Sequence, residues 1–368
     1  MIQTFSSTIR RKEMDAVLTC MVDEKIGPGE INARLIQTVK EFFSCAGAVA
    51  LRSPDVALKY ALKALNLETG SAVMISALAP SWQIFAIEEA GFKPLVLDVE
   101  NESAQVSAEI VSEGMKAGGR VLVLTESLGI LPDFENILAL GIPVIEDVSQ
   151  SAGGIVPEPS AEGDSGKNSS SEENSAQVKL GEIKGKRAGS FGIYSICALE
   201  EHDVITAGGG ALLFAHGRRD WPVLKSVVEN ILPVEMLPDI NAALALIQIK
   251  EFYRNEQKRK EIHALFSRSV MSGKNRTFAR DIENLSTVWS FPLVLNSGFK
   301  DVKQYAQKKE IEIRAAFEDC VFSRRPEEFD KACKNAKTLF LRTAVFPLYP
   351  RLSRTQVEKI SKVLLTLP

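Results

Sequence analysis

Between Pro54 and Ile145 the chain alternates helix-like stretches with short, almost wholly apolar runs, and this limits the possible folds more than any other feature. The runs are Val73-Met74-Ile75, Pro94-Leu95-Val96-Leu97, Val121-Leu122-Val123-Leu124 and Pro143-Val144-Ile145, the last leading into Glu146-Asp147. The spacing predicts helices over Ser81 to Ala90, Ala108 to Met115 and Phe134 to Leu140, with an earlier one opened by Ser53-Pro54-Asp55 and ended near Gly70. Strands without polar alternation must be covered on both faces, which calls for a parallel sheet between helices. Ligands gather at the carboxyl ends of such strands. Asp147 stands at one of them.

The stretch 155–182 breaks the pattern. It is rich in Ser, Glu and Gly and poor in large apolar groups, so it buries too little to offset its ordering entropy. A disordered surface-loop insertion is expected there. Beyond it the sequence predicts a hairpin over Ala188 to Ile196, the glycine triplet Gly208-Gly209-Gly210 and a strand over Ala211 to Phe214. One long helix is expected from Ile240 through Leu244, Ile247 and Phe252 to Phe266. The remainder reads as a smaller α+β unit: a strand over Val288 to Leu295, a helix over Asp301 to Lys309, a strand near Ala344 to Phe346, and a last helix capped by Ser353. The expected class is α/β. Residues 1–235 form a large domain with a mostly parallel sheet, and 236–368 hold an interdomain helix and a small C-terminal α+β domain.

Composition narrows the partners. With 45% hydrophobic and 25% charged residues and a net charge of -3, the chain is of ordinary globular make-up, and neither nucleic acid nor an anionic membrane is an expected partner. Cys20, Cys45, Cys197, Cys320 and Cys333 are scattered, odd in number and without a C-x-x-C pair. Such usage fits a reducing cytoplasm and offers no metal-ligand spacing. The first residues lack the apolar core of a signal peptide, and no apolar run reaches the ~18 residues of a membrane span.

The order of short motifs is more specific. Gly141-Ile-Pro-Val-Ile-Glu-Asp147-Val-Ser-Gln150 resembles the "gIPVIEDaaQa" segment of the DegT/DnrJ/StrS sugar aminotransferases. Lys184 to Gly192 resembles their "kGkkvGsfGd" segment, and Tyr194-Ser195-Ile196 lies where they have "fSF". Asp239 to Gln248 resembles "eiqAAlgl.QL", and Arg342 to Leu352 the closing "r.l.LPlyp.l". Ile26-Gly-Pro-Gly29 and Gly91 to Asp98 fit "i..Gp" and "Ga.PvfvD". Together these cover nearly the whole chain in the correct order. The resemblance implies a fold-type-I PLP-transferase architecture and a homodimer with active sites at the subunit interface. It also implies pyridoxal phosphate as cofactor and amino transfer to a keto sugar nucleotide.

Cofactor chemistry of this kind needs a Schiff-base lysine, a carboxylate at the pyridinium nitrogen, a phosphate cradle and ring packing. By resemblance Asp147 is the pyridinium partner, Gln150 lies near the ring, and Ser195 bonds the phosphate. Each is also an ordinary strand-end or loop residue. Trp82 is a candidate for packing near the site. Where the family has Ser-Gly-Thr at a helix start, this chain has Ser53-Pro54-Asp55. Proline offers no N–H, and at ~4 Å and a dielectric of ~20 each like-charge pair costs on the order of 4 kcal/mol. As a plain helix start, however, the triplet is well made. From Ile196 to Ala207 the chain reads ICALEEHDVITA, with no lysine. Glu200, Glu201 or His202 takes the place. A small branch of the family carries histidine there and comprises PLP- or PMP-dependent sugar dehydratases, so His202 is a candidate general base. The family's cross-dimer "N.Rm" is Val234 and Met236 here. Three readings follow: a catalytically silent homologue, paired with itself or with an active paralogue; a dehydratase-like enzyme using His202; or an aminotransferase with a displaced lysine, Lys184 or Lys186.

Overall fold

The computed structural model describes residues 1–157, 185–271, 273–278 and 286–368. Two helices, α1 (Arg11–Val22) and α2 (Glu30–Phe43), lead into β1 (Gly47–Leu51). Then follow α3 (Pro54–Ala64), β2 (Ala72–Ser76), α4 (Trp82–Glu89), β3 (Lys93–Leu97), α5 (Ala108–Lys116), β4 (Gly119–Thr125), α6 (Phe134–Ala139) and β5 (Val144–Asp147). Each apolar run of the sequence is thus a strand. In β1 every residue is buried, and in β2 every residue but the first, as expected of strands covered on both faces.

Strand β6 (Ile155–Pro157) pairs with β7 (Gly185–Arg187), while β8 (Tyr194–Ala198) and β9 (Ala211–Ala215) complete the main sheet. Its order is β1-β9-β8-β5-β4-β2-β3, with β9 antiparallel to both neighbours and the other pairings parallel. The reversal into β9 uses the glycine triplet, whose φ values of 69°, 130° and 114° L-side chains rarely adopt. Two expectations are corrected here. Residues 155–157 are strand rather than part of a disordered insertion, and 158–182 lie outside the described residues. The hairpin over 188–196 is absent, because β7 and β8 pair with different strands and the intervening residues serve as a turn.

After α7 (Asp220–Val228) come α8 (Asp239–Lys250) and α9 (Phe252–Val270), where the sequence predicts one helix. The break at Glu251 has a packing cause. Leu246, Ile249 and Phe252 belong to the core around the large sheet, whereas Ile262, Phe266 and Val270 belong to a second core. A single straight helix would have to serve both. The second core surrounds β10 (Phe291–Val294), β11 (Arg314–Ala315) and β12 (Thr343–Phe346), with α10 (Phe299–Lys308) and the closing helix. Between β11 and β12 lie the short helices α11 (Val321–Arg324) and α12 (Pro326–Phe329) and the longer α13 (Lys334–Arg342). The buried side chains of these three helices join the large core. The last helix, α14 (Arg354–Leu365), has the expected cap: Ser353 Oγ accepts from Gln356 N at 3.3 Å, and Gln356 Oε1 accepts from Ser353 N at 2.9 Å.

One distant contact ties the amino-terminal helices to this frame. The buried carboxylate of Asp239, at the start of α8, accepts from Gly29 N at 2.9 Å, Ile31 N at 3.1 Å and Asn32 N at 2.8 Å. It thus satisfies the orphan donors at the start of α2. Among the described residues no helix is long and apolar enough to cross a membrane.

Candidate active site

At the carboxyl end of the parallel strands lies a cavity of about 230 Å³. Residues 125–127 at the end of β4, Asp147 at the tip of β5 and the chain from the end of β8 supply its floor, and Phe5, Trp82, Trp289 and Phe317 contribute aromatic walls. Such a placement follows from the topology, because the parallel strands all end on this side.

Asp147 is fully buried and firmly held. Gln83 Nε2 donates to its Oδ2 at 2.8 Å, while Ser149 N and Oγ donate to its Oδ1 at 3.1 and 2.5 Å. Burial still pushes its pKa up, against the opposing effect of these bonds. Gln150 also lines the cavity, but its Oε1 accepts from Leu128 N at 2.6 Å and so fixes the tight turn after β4. His202 lines the cavity as well. Its ring stacks on Phe5 with centroids 4.5 Å apart, and its carbonyl accepts from Trp289 Nε1 at 2.7 Å. Arg314 Nη1 lies 3.3 Å from His202 Nε2. A guanidinium only donates, so in that contact Nε2 is the acceptor and the ring proton sits on Nδ1, which is buried without a partner.

Ser195 is the correction. Strand register pairs Ser195 with Glu146 and Ile196 with Asp147, so side-chain alternation turns Ser195 away from the face on which Asp147 lies. Its hydroxyl donates to the Gly189 carbonyl at 3.0 Å, also lies 3.4 Å from Glu146 Oε1, and does not line the cavity. Ala198, three residues on, is the β8 residue that does. The structure therefore brings together Asp147, Gln150 and His202, with Trp82, and leaves Ser195 behind the sheet.

Two acids in the cavity wall, Asp203 and Glu126, are missing from the expectations above, and a third, Glu200, was named there only as a residue at the lysine's place. Asp203 is partly buried, and its Oδ2 accepts from Glu200 N at 3.0 Å. Burial, and next the charges of Asp147 and Glu200, push its pKa up to about 8 against the N–H bond. Glu200 itself is raised by burial and by the charge of Asp55. Glu126 is wholly buried beside Glu146 and Ser151, and burial followed by the charge of Glu146 holds its pKa well above the carboxylate range. Behind it, Glu146 accepts from Gly189 N at 2.8 Å, Phe191 N at 2.7 Å and Gly192 N at 2.5 Å, which holds the turn before β8. The run of acids on either side of His202 was visible in sequence, but not which of them turns inward.

The cationic side is thin. Arg314 lines the cavity and is already ion-paired with Glu318. No lysine is among the described residues that line it. Lys186 is exposed on β7, and Lys184 lies outside the described residues. Ser53-Pro54-Asp55 opens α3 as a plain helix start: Pro54 is buried in the first turn, and Asp55 faces Lys59 at 3.4 Å. None of the three lines the cavity. Val234 is exposed, and Met236 bridges to Leu51.

The family model described as DegT/DnrJ/EryC1/StrS aminotransferase family matches residues 7–365. A GDP-perosamine synthase of Vibrio cholerae is 23% identical over 180 residues, 48% of this chain and 42% of that protein, so the chain spans less than half of that relative. The aminotransferase TlmJ of Streptoalloteichus hindustanus superposes with a TM-score of 0.83 at 15% identity, covering 99% of this chain and 98% of that one. A GDP-4-keto-6-deoxymannose-3-dehydratase, ColD, with bound GDP-perosamine superposes with a TM-score of 0.80 at 14% identity, covering 99% and 100%. These likenesses to solved structures speak for the fold.

Proposed function

The chain belongs to the DegT/DnrJ/EryC1/StrS aminotransferase family, and within it we propose a catalytically silent member that has kept the ligand cavity and given up the Schiff base. The observation that carries this reading is the charge of the cavity. The ring end of a pyridoxal phosphate site persists in Asp147 and Gln150, but the residues around it do not fit the rest of that cofactor. No described lysine lines the cavity, Arg314 is engaged by Glu318, and Asp203 and Glu200 put carboxyl groups in its wall, which offers a phosphate dianion no free cation. No step of transamination is therefore assigned to these residues. The setting we propose is cytoplasmic, in keeping with five free, buried cysteines.

Incubation with pyridoxal phosphate followed by borohydride should leave no cofactor attached near residues 195 to 208. The check is peptide mass mapping together with the absorbance spectrum. A stable adduct on Lys184 or Lys186 would restore the displaced-lysine aminotransferase.

A second reading has its own support. His202 lines the cavity, and the unprotonated ring nitrogen that a base needs is Nε2, which accepts from Arg314 at 3.3 Å, in support of a proton-transfer role. A dehydratase is among the proteins that share the fold. On this reading His202 acts as base on a keto sugar nucleotide, and turnover of such a substrate, lost in His202→Asn, decides for it against the silent form.

We also propose that the chain pairs with a second copy, or with a lysine-bearing paralogue of the family. Met14, Leu18 and Met21 form an exposed apolar row on α1 at helical spacing, 50%, 53% and 55% accessible, in support of a covered face. Sedimentation at micromolar concentration should give a dimer of the chain alone or with the paralogue. A strict monomer under both conditions removes the proposal.

A further inference from the structure

We infer that residues 2–7 form a strap across the His202 side of the cavity, which lifts on a strained hinge at Thr8 to admit a ligand. The ring of Phe5 is the positioning group that holds the imidazole while the strap is down. This holds whether the chain is silent or a dehydratase, because access to the cavity is separate from the chemistry inside it.

The fastening of the strap is uneven. Ile2 N donates to the Glu310 carbonyl at 2.7 Å, and Glu312 N donates to the Ile2 carbonyl at 2.9 Å. Thr4 N donates to Glu312 Oε2 at 3.0 Å, and Thr4 Oγ1 donates to the Glu312 carbonyl at 3.1 Å. Two residues beyond Glu312, Arg314 reaches His202 Nε2. Strap and guanidinium thus belong to one body, which holds the imidazole by its face and by its edge. Toward the large sheet the hold is looser: Ser7 Oγ donates to the Glu201 carbonyl at 3.4 Å, and Gln248 Nε2 donates to the Ser7 carbonyl at 3.3 Å. Phe5 lines the cavity, stacks on His202 at an interplanar angle of 15° and leans on Trp289 with centroids 5.5 Å apart. Neither Phe5 nor His202 is fully buried, so the stack closes a boundary with solvent. Thr8 supplies an independent sign. Its φ of 53° lies in the left-handed region, which a β-branched residue enters only under strain. It is buried, and its N and Oγ1 both turn back on Ser6 at 3.3 Å. Strain of this kind persists where the surroundings impose it, and it gathers at switch segments. Lifting Phe5 breaks two long hydrogen bonds and one ring stack, and it releases the strain at Thr8.

Diethyl pyrocarbonate, which acylates accessible imidazole nitrogens, tests this on the full chain with peptide mass mapping of all three histidines. Phe5→Leu keeps apolar bulk without the ring and should speed modification of His202 at least about threefold, in line with the worth of one aromatic pair. Phe5→Tyr should keep the parent rate. Thr8→Asn accepts the left-handed backbone more readily and should slow modification by about threefold or more. Exposed His216, and His263 packed on Phe291 of the second core, should keep their rates in every form. In proton NMR the His202 ring signals should lie upfield in the parent and in Phe5→Tyr, and should return toward ordinary values in Phe5→Leu. Stacking produces that signature and general loosening does not. An unchanged His202 rate in Phe5→Leu or in Thr8→Asn overturns the strap. A rise that His263 shares also overturns it, since that is unfolding. Each of these results leaves both readings of the function standing.

Discussion

Replacing Asp203→Asn should stabilise the protein in alkaline buffer and change little in acid. The carboxyl has an ordinary value of 3.8 and is raised to about 8 in the folded chain, first by burial and then by Asp147 and Glu200. Between those limits the folded state holds a proton that the unfolded state has released. Stability then falls as pH rises, since the slope follows the protons bound by the unfolded minus the folded state. The loss begins near the unfolded value and is complete above the folded one. Asparagine cannot ionise, so the variant lacks this slope while keeping an oxygen for Glu200 N. The gain should be near zero around pH 4 and reach on the order of a few kcal/mol above pH 8, reduced by the partial access of Asp203 to solvent. Thermal midpoints of parent and variant across this range provide the measurement. A constant difference between the two, at any size, would show that Asp203 does not titrate as its surroundings require. A stabilising loss of a cavity acid would also mark the site as one where stability has been given up for binding.

Glu146→Ala should be among the most damaging single changes available to this chain. Its carboxylate is wholly buried and accepts from the N–H groups of Gly189, Phe191 and Gly192. Alanine removes the acceptor but leaves the three donors in place, and each orphaned buried donor costs about 1–3 kcal/mol. Even with partial relaxation the loss should exceed about 4 kcal/mol, which few substitutions reach. The damage would spread, because the turn that Glu146 holds delivers β8 to the centre of the sheet. Glu146→Gln should be intermediate, since one amide oxygen remains while the NH2 group faces a backbone donor. Urea unfolding of the three forms gives the order directly. A cost of less than about 1 kcal/mol for alanine would mean that the turn is held by packing alone.

Much of the architecture was legible in the sequence because it rests on local chemistry. Four apolar runs without alternation demand a sheet covered on both sides, and each of them is a strand. Ser353 and Gln356 three residues later make a capping box whatever the tertiary context. The lack of lysine from Ile196 to Ala207 is a plain property of the chain, and the place of Asp147 at a strand end follows from the run before it.

Other features depend on residues brought from far along the chain, which composition and spacing do not encode. The carboxylate that caps α2 comes from Asp239, and the aromatic that stacks on His202 comes from Phe5. Ser195 and Ala198 are both small residues of one strand, and only its register decides that the second faces the cavity. The segment 239–266 reads as one helix by periodicity, yet two cores compete for its apolar residues and break it at Glu251. Most of all, the sequence by itself determined that acids surround His202, while the tertiary structure alone decided their state. A carboxyl keeps or loses its charge according to how much water and which charges remain around it, and burial beside Asp147 is what makes Asp203 a weak acid here.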